Sequence, residues 1–245
     1  MGFRGIDTAN QRRHYFEDRV GQGLAAAYSA GVATRADLFL QTKFTYQRGQ
    51  DHRLPYDPAA ILSVQVAQSM ASSLEHLGTD YVDSYVLHGP SSGCDWTHAD
   101  SEVWEAMRKE RDAGRTRLLG VSNVSLQQLA QMAAVHSEGP AFVQNRCYAR
   151  LGWDRVVRQF CREHKIIYQG FSLLTANQEV LQHPLIASLT SASATPAQIV
   201  FSFARSIGIL PLTGTSNAEH MKQDLAGRDV KLPPEAAQAI ESLAG

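Results

Sequence analysis

Short apolar runs alternate with longer amphipathic stretches from one end of the chain to the other. The runs at 3–7, 38–43, 81–88, 117–122, 142–145, 166–171 and 209–212 have strand length and β-branched or aromatic content. The stretches at 17–30, 58–77, 102–113, 125–135, 154–164, 195–206, 218–225 and 234–243 carry apolar residues at helical spacing. Punctuation agrees with this division. Gly31, Gly78 and Gly114 stand where helices should stop, and Ser125 and the pair Thr195-Pro196 stand where helices should start. Asp57 and Pro58 read as an N-cap followed by a first-turn proline. A longer irregular piece separates residue 171 from Thr195.

Seven strands, each followed by a helix, predict a parallel sheet with helical crossovers, because parallel neighbours need long connections. No Gly-x-Gly-x-x-Gly follows an early strand, so a doubly wound dinucleotide fold is disfavoured against a barrel. The expected fold is therefore α/β, a TIM-type (β/α) barrel in a single domain over 1–245. A closed barrel of this type has eight strands, and seven of the eight βα units are predicted.

Composition narrows the picture further. The 245 residues are 44% hydrophobic and 19% charged, with a formal charge of -1, which suits one globular domain and not a phosphate-backbone binder. No apolar run reaches membrane-spanning length, and no signal peptide is recognised. Cys94, Cys147 and Cys161 are odd in number and widely spaced, which predicts neither a disulfide framework nor a zinc site and fits free thiols in the cytoplasm.

The chemistry collects at predicted strand ends. Asp7, Lys43 and His88 close three successive strands, and Tyr15 follows in the loop after Asp7. In a parallel α/β protein such ends face one mouth. A carboxylate can fix an ammonium, and the ammonium can stabilise a phenolate, so Asp7, Lys43 and Tyr15 contain the parts of a tuned proton donor. His88 can hydrogen-bond a substrate oxygen. Taken singly, each has a plainer reading: Lys43 as a structural ion-pair partner, His88 as a structural histidine, Tyr15 as a loop aromatic. Ser122, Asn123, Gln144 and Asn145 place polar groups at two later ends, and Phe171 places a ring at another. Phe171 alone reads equally as core. The run from Pro211 to His220 enters a helix N-terminus, which favours a phosphate. Tyr46, Tyr56, Trp96 and Trp153 fall in mouth loops, where they line an apolar substrate pocket or pack against their neighbours.

Gly-Ile-Asp-Thr-Ala at 5–9, Gln-Thr-Lys at 41–43, Leu-His-Gly at 87–89, Gly-Val-Ser-Asn at 120–123, Val-Gln-Asn at 143–145 and Gly-Thr-Ser at 214–216 stand together in this order. With them the chain resembles the aldo-keto reductase superfamily along essentially its whole length. The resemblance implies a (β/α) barrel that uses a nicotinamide cofactor, usually NADP(H), without metal. It implies Tyr15 as proton donor tuned by Lys43 and Asp7, and His88 as orienter of the substrate carbonyl. Ser122, Asn123 and Gln144 would hold the carboxamide, with Phe171 stacked on the ring. Ser172 and Leu174 would follow the pyrophosphate. Gly214, Thr215, Ser216, His220, Gln223 and Asp224 would surround the adenosine phosphate.

Three departures from the family pattern stand out. The loop from Asp7 to Tyr15 is three residues longer than usual, absorbed by Asn10-Gln11-Arg12-Arg13, and Tyr15 is its one tyrosine. Gly214 and His220 occupy the places of the lysine and arginine that usually hold the 2′-phosphate, which leaves NADP(H) favoured over NAD(H). The family's first strand and helix are not recognised before Gly2, so two unpaired barrel edges and impaired turnover are expected. The expected function is reduction of an aldehyde or ketone by NADPH. The alternatives are a polyol or sugar dehydrogenase and a non-catalytic nicotinamide-binding regulatory or redox-sensing subunit. The expected partner is a small carbonyl compound, with neither nucleic acid nor membrane, in a monomer or weak homo-oligomer.

Overall fold

A computed structural model describes residues 2–190 and 194–243. They form two compact units, one of residues 4–142 and one of residues 143–243 with 2–3. The first unit contains β1 (Gly5–Asp7), α1 (Glu17–Ser29), β2 (Phe39–Phe44), α2 (Leu62–Leu77), β3 (Val82–Leu87), α3 (His98–Asp112), β4 (Thr116–Ser122) and α4 (Leu126–Val135). Its strands lie side by side in chain order, and each neighbouring pair is parallel. No strand order reverses, so the crevice of a doubly wound sheet is absent from this unit.

Register places the chemistry. Lys43 lies opposite Val86 and Phe44 opposite Leu87, while Val86 and Leu87 face Gly120 and Val121. The His88 N–H continues this ladder onto the Phe44 carbonyl at 2.9 Å. Asp7, Lys43, His88 and Ser122 therefore close four adjacent strands. Gly120 is fixed by space, because a Cβ there would sit 3.0 Å from Val86 Cγ2 and 3.1 Å from the Phe142 carbonyl. Leu40, Val66, Met70, Tyr85, Leu87, Trp104 and Met107 fill the core between sheet and helices. Each aliphatic side chain so buried stabilises the fold by about 1.5–3 kcal/mol. α1 and α2 pack so closely that a Cβ on Gly21 would lie 1.9 Å from the His76 carbonyl.

The second unit contains β5 (Phe142–Arg146, whose first residue belongs to the first unit), α5 (Arg155–Glu163), β6 (Ile167–Phe171), α6 (Gln178–Leu181), α7 (Pro184–Leu189), α8 (Pro196–Ser206), β7 (Ile209–Pro211), α9 (Ala218–Ala226) and α10 (Pro234–Glu241). Its strands also follow chain order, with β6 and β7 parallel.

The predicted punctuation holds at Gly78, a left-handed C-cap at φ 63°, and at the Ser125–Gln128 and Thr195–Gln198 capping boxes. Two helix starts differ from expectation. Asp57 caps a turn, not a helix: its carboxylate accepts the Ala59 N–H at 2.9 Å, its carbonyl accepts the Ala60 N–H at 3.1 Å, and Ile61 is extended. α2 consequently begins only at Leu62. α3 begins earlier than predicted, at His98, because Thr97 and Asp100 form a capping box that apolar spacing does not reveal. The predicted irregular piece holds the short helices α6 and α7, and its residues 191–193 lie outside the described residues. The three cysteines are free, Cys94 exposed and the other two buried. Among the described residues no helix is long and apolar enough to cross a membrane, and no group of three metal-ligating side chains is gathered.

Candidate active site

Lys43 is wholly buried at the end of β2, and its three N–H donors all find oxygen. Nζ lies 2.7 Å from each Asp7 carboxylate oxygen and 2.9 Å from the Thr8 carbonyl. Gln41 Nε2 donates to the same carboxylate at 2.7 Å. Burial pulls the Lys43 pKa down and the Asp7 charge opposes it. The ammonium also stands 5.1 Å from the centroid of the Tyr15 ring.

The long loop after β1 is folded inward. Asn10 Nδ2 donates to the Ser69 carbonyl at 3.1 Å, Gln11 Nε2 to the Gly49 carbonyl at 2.8 Å, and the Tyr15 N–H to the Gln11 carbonyl at 3.0 Å. Gln50 Nε2 donates to the Asn10 carbonyl at 2.8 Å. Beyond Tyr15, the buried Glu17 carboxylate accepts from the Thr42 hydroxyl, from Ser73 Oγ at 3.1 Å and from His76 Nδ1 at 3.3 Å. Tyr15 is thus pinned on both sides. Its hydroxyl has no hydrogen-bond partner among the described residues.

Burial and the Asp7 charge push the Tyr15 pKa up to about 12. This is opposite to the lowering expected from a nearby ammonium. The reason is burial, which disfavours the phenolate, with the Asp7 carboxylate adding to it. The phenol is held neutral, a donor that keeps its proton until a strong base arrives.

His88 lies edge-on to Tyr15 with ring centroids 5.7 Å apart, and its Nδ1 is 2.7 Å from Thr45 Oγ1. Burial, aided by the Lys43 charge, pulls its pKa down to about 3, so the imidazole is neutral at pH 7. Thr45 Oγ1 and Nδ1 share this hydrogen bond, and in the tautomer whose Nδ1 accepts it, Nε2 carries the ring proton and is a neutral donor. Ser122 is fully buried. Asn123 adopts a left-handed conformation at φ 52°, and its Nδ2 donates to the His88 carbonyl at 2.7 Å and to Ser122 Oγ at 3.2 Å. The first unit therefore gathers Asp7, Tyr15, Lys43, His88, Ser122 and Asn123.

A cavity of about 280 Å³ opens beside them, lined by Gln11, Thr45, Tyr46, Arg48, His88 and Asn123 together with two glycines. The expected apolar aromatic lining is not what forms. Tyr46 reaches the cavity, with its hydroxyl tied to Asp100 at 2.9 Å. Tyr56 is buried and donates to the Thr45 carbonyl at 2.8 Å, and Trp96 is buried and donates to Ser101 Oγ at 3.0 Å. Trp153, in the second unit, packs on Phe203 with centroids 4.8 Å apart. Packing claimed Tyr56 and Trp96, whose polar tips found partners away from the cavity.

In the second unit, Gln144 Nε2 donates to Gln169 Oε1 at 2.9 Å. The half-buried Phe171 ring has the Arg146 guanidinium 5.5 Å from its centroid. Ser172 is left-handed at φ 58°, and the Leu174 carbonyl accepts from Gln178 Nε2 at 2.9 Å. Asn217 caps α9 by accepting the Glu219 and His220 N–H groups at 2.8 and 3.3 Å. Gly214, Ser216 and His220 are exposed and Thr215 half-exposed around that helix start. Asp224 accepts from Thr213 Oγ1 at 2.7 Å, and the Gln223 carbonyl accepts from Gln198 Nε2 at 2.8 Å.

A profile of the Aldo/keto reductase family matches residues 1–176. The chain belongs to this family. It is 31% identical over 243 residues to an aldo-keto reductase of Mycolicibacterium vanbaalenii, covering 99% of this chain and 79% of that one. It is 26% identical over 273 residues to prostaglandin F synthase 1 of Bos taurus, with the same coverage. Among solved structures, a Bombyx mori aldo-keto reductase in complex with NADP superposes with a TM-score of 0.82 at 24% identity, covering 99% of this chain and 79% of that one. The fold class is that of these relatives, the TIM-type (β/α) barrel, with seven parallel strands among the described residues.

Sequence reasoning missed Arg48, Gln11 and Glu17. Arg48 sits five residues past Lys43 in the mouth loop 45–57, which the sequence marks as a seat of specificity without singling out this residue. Glu17 was read only as the start of α1, although an acid two residues after a candidate donor is a signal for an anchored loop.

Proposed function

We propose that this chain reduces an aldehyde or ketone to the alcohol with NADPH, with Tyr15 as the proton donor. The observation that carries the proposal is a neutral tyrosine hydroxyl with no partner among the described residues, held edge-on to a neutral imidazole that itself lines a cavity. A nicotinamide bound here would supply the hydride that the carbonyl carbon takes up. His88 Nε2 donates to the carbonyl oxygen and orients it. Tyr15 gives that oxygen its proton, breaking its own O–H bond, and is reprotonated from solvent. A phenol near pKa 12 still transfers readily to an alkoxide, whose basicity resembles that of hydroxide, with water at about 15.7. Lys43, held by Asp7, positions the ring, and its cation faces the charge left there.

The residues present fit the cofactor. The exposed start of α9 offers N–H groups and the helix dipole to a phosphate, with Thr215, Ser216 and His220 as its side chains. Ser122, Asn123 and Gln144 are amides and a hydroxyl of the kind that binds a carboxamide, and Phe171 is a half-buried ring suited to stacking. NADP(H) is favoured over NAD(H), since His220 adds a titratable donor to the helix start.

The test is direct: mix the purified chain, NADPH and a panel of aldehydes, and follow the near-ultraviolet absorbance of the cofactor. Consumption with any member supports the reading. Binding of NADPH without consumption across the panel overturns it in favour of a sensor.

A further inference from the structure

The cavity beside His88 is lined by polar side chains and glycine backbone, with no aliphatic side chain and no carboxylate. Arg48 is its cation. One of its terminal nitrogens donates to the Pro90 carbonyl, two residues beyond His88, which ties the guanidinium to the loop that carries the imidazole. A guanidinium has five N–H donors, and the remaining donors of Arg48 meet no partner among the described residues. No carboxylate stands within ion-pair reach of it among those residues. The nearest loop acids are otherwise engaged. Asp51 pairs with Arg53. Asp100 holds the Ser91 and Thr97 N–H groups and the Tyr46 hydroxyl.

We propose that Arg48 binds the carboxylate of the substrate, so that the preferred substrates are small aldehydes or ketones that carry a carboxylate. This deepens the reductase reading and rests on it. The carbonyl end meets Tyr15 and His88 while the acid end meets the guanidinium across the cavity. Arg suits this task because its planar fork matches a carboxylate and stays charged at any working pH. The Pro90 tether keeps the fork in place before the substrate arrives, which lowers the cost of ordering it.

The experiment compares 4-carboxybenzaldehyde with methyl 4-formylbenzoate, which share a ring and an aldehyde and differ in charge. Wild type should favour the acid in kcat/KM, and Arg48→Met should lower the acid-to-ester ratio about tenfold or more, chiefly through KM. Arg48→Lys should restore part of the ratio. Arg53→Met, which removes a nearby surface arginine already paired with Asp51, should keep the wild-type ratio. A ratio unmoved by Arg48→Met overturns the proposal. If wild type reduces neither aldehyde, the reductase reading falls separately. Arg48 is then read by calorimetric binding of 4-carboxybenzaldehyde to wild type and to Arg48→Met, where equal affinities overturn the carboxylate role.

Discussion

The Lys43 ammonium grips both oxygens of Asp7 at 2.7 Å and presents its charge to the ring of Tyr15 at 5.1 Å from the centroid. The pair is therefore a platform beneath the phenol. It holds the ring in place, while the hydroxyl stays open to a ligand.

Tyr15→Phe removes the proton and leaves the packing. Reduction should fall by about 10²–10⁴-fold, as loss of one general acid does. NADPH affinity, read by fluorescence quenching, should stay close to wild type. A retained kcat would remove Tyr15 from the mechanism.

Lys43→Met leaves the Asp7 carboxylate, itself mostly buried, without its cation. Breaking such a pair costs about 3–5 kcal/mol, and the partial exposure of Asp7 puts this one toward the low end. Chemical denaturation should show the loss. The double variant Lys43→Met with Asp7→Asn should recover part of it, because the uncompensated charge is gone. Additive losses in the double variant would show that the two groups are not coupled.

The histidines give stability two opposite pH dependences. His88 falls from an ordinary 6.5 to about 3 in the fold, so its contribution is complete above 6.5 and is lost as pH falls toward 3. The His76 pKa is raised, mainly by its hydrogen bond to Glu17. Its contribution is complete below 6.5 and is lost as pH rises through the raised value. Unfolding curves from pH 3 to 9 should show this in the differences from wild type. The gap to His88→Asn should narrow in acid, and the gap to His76→Gln should narrow in base. Parallel curves would refute both assignments.

Glu17 is 1% exposed and joins α1 to Thr42, Ser73 and His76. Glu17→Ala should cost about 1–3 kcal/mol for the donors left unpaired. It should also lower kcat, because the Tyr15 loop loses its downstream anchor. Glu17→Gln should recover stability in part. An Ala variant with full kcat would leave Glu17 purely structural.

Much of this was legible in the sequence. The alternation was visible because Gly78 and Gly114 end helices, the Gly89-Pro90 break ends a strand, and Asp7, Lys43 and His88 stood at strand ends. The start of α2 was not legible, because Asp57-Pro58 suits a turn as well as a helix entry, and only the extended backbone at Ile61 decides between them. The cavity lining was not legible either. An aromatic in a mouth loop can face the ligand or the core, and the choice depends on partners such as Ser101 and the Thr45 carbonyl, which are remote in sequence. The direction of the Tyr15 shift depended on how far the fold buries the phenol, which spacing does not encode.

The hydrogen bonds that the Gln11 side chain donates to the Gly49 carbonyl and the Gln50 side chain donates to the Asn10 carbonyl tie the segment that carries Tyr15 to the segment that carries Arg48. Chemistry and selectivity are in consequence one heritable trait here: a substitution that reshapes the selectivity segment also disturbs the acid.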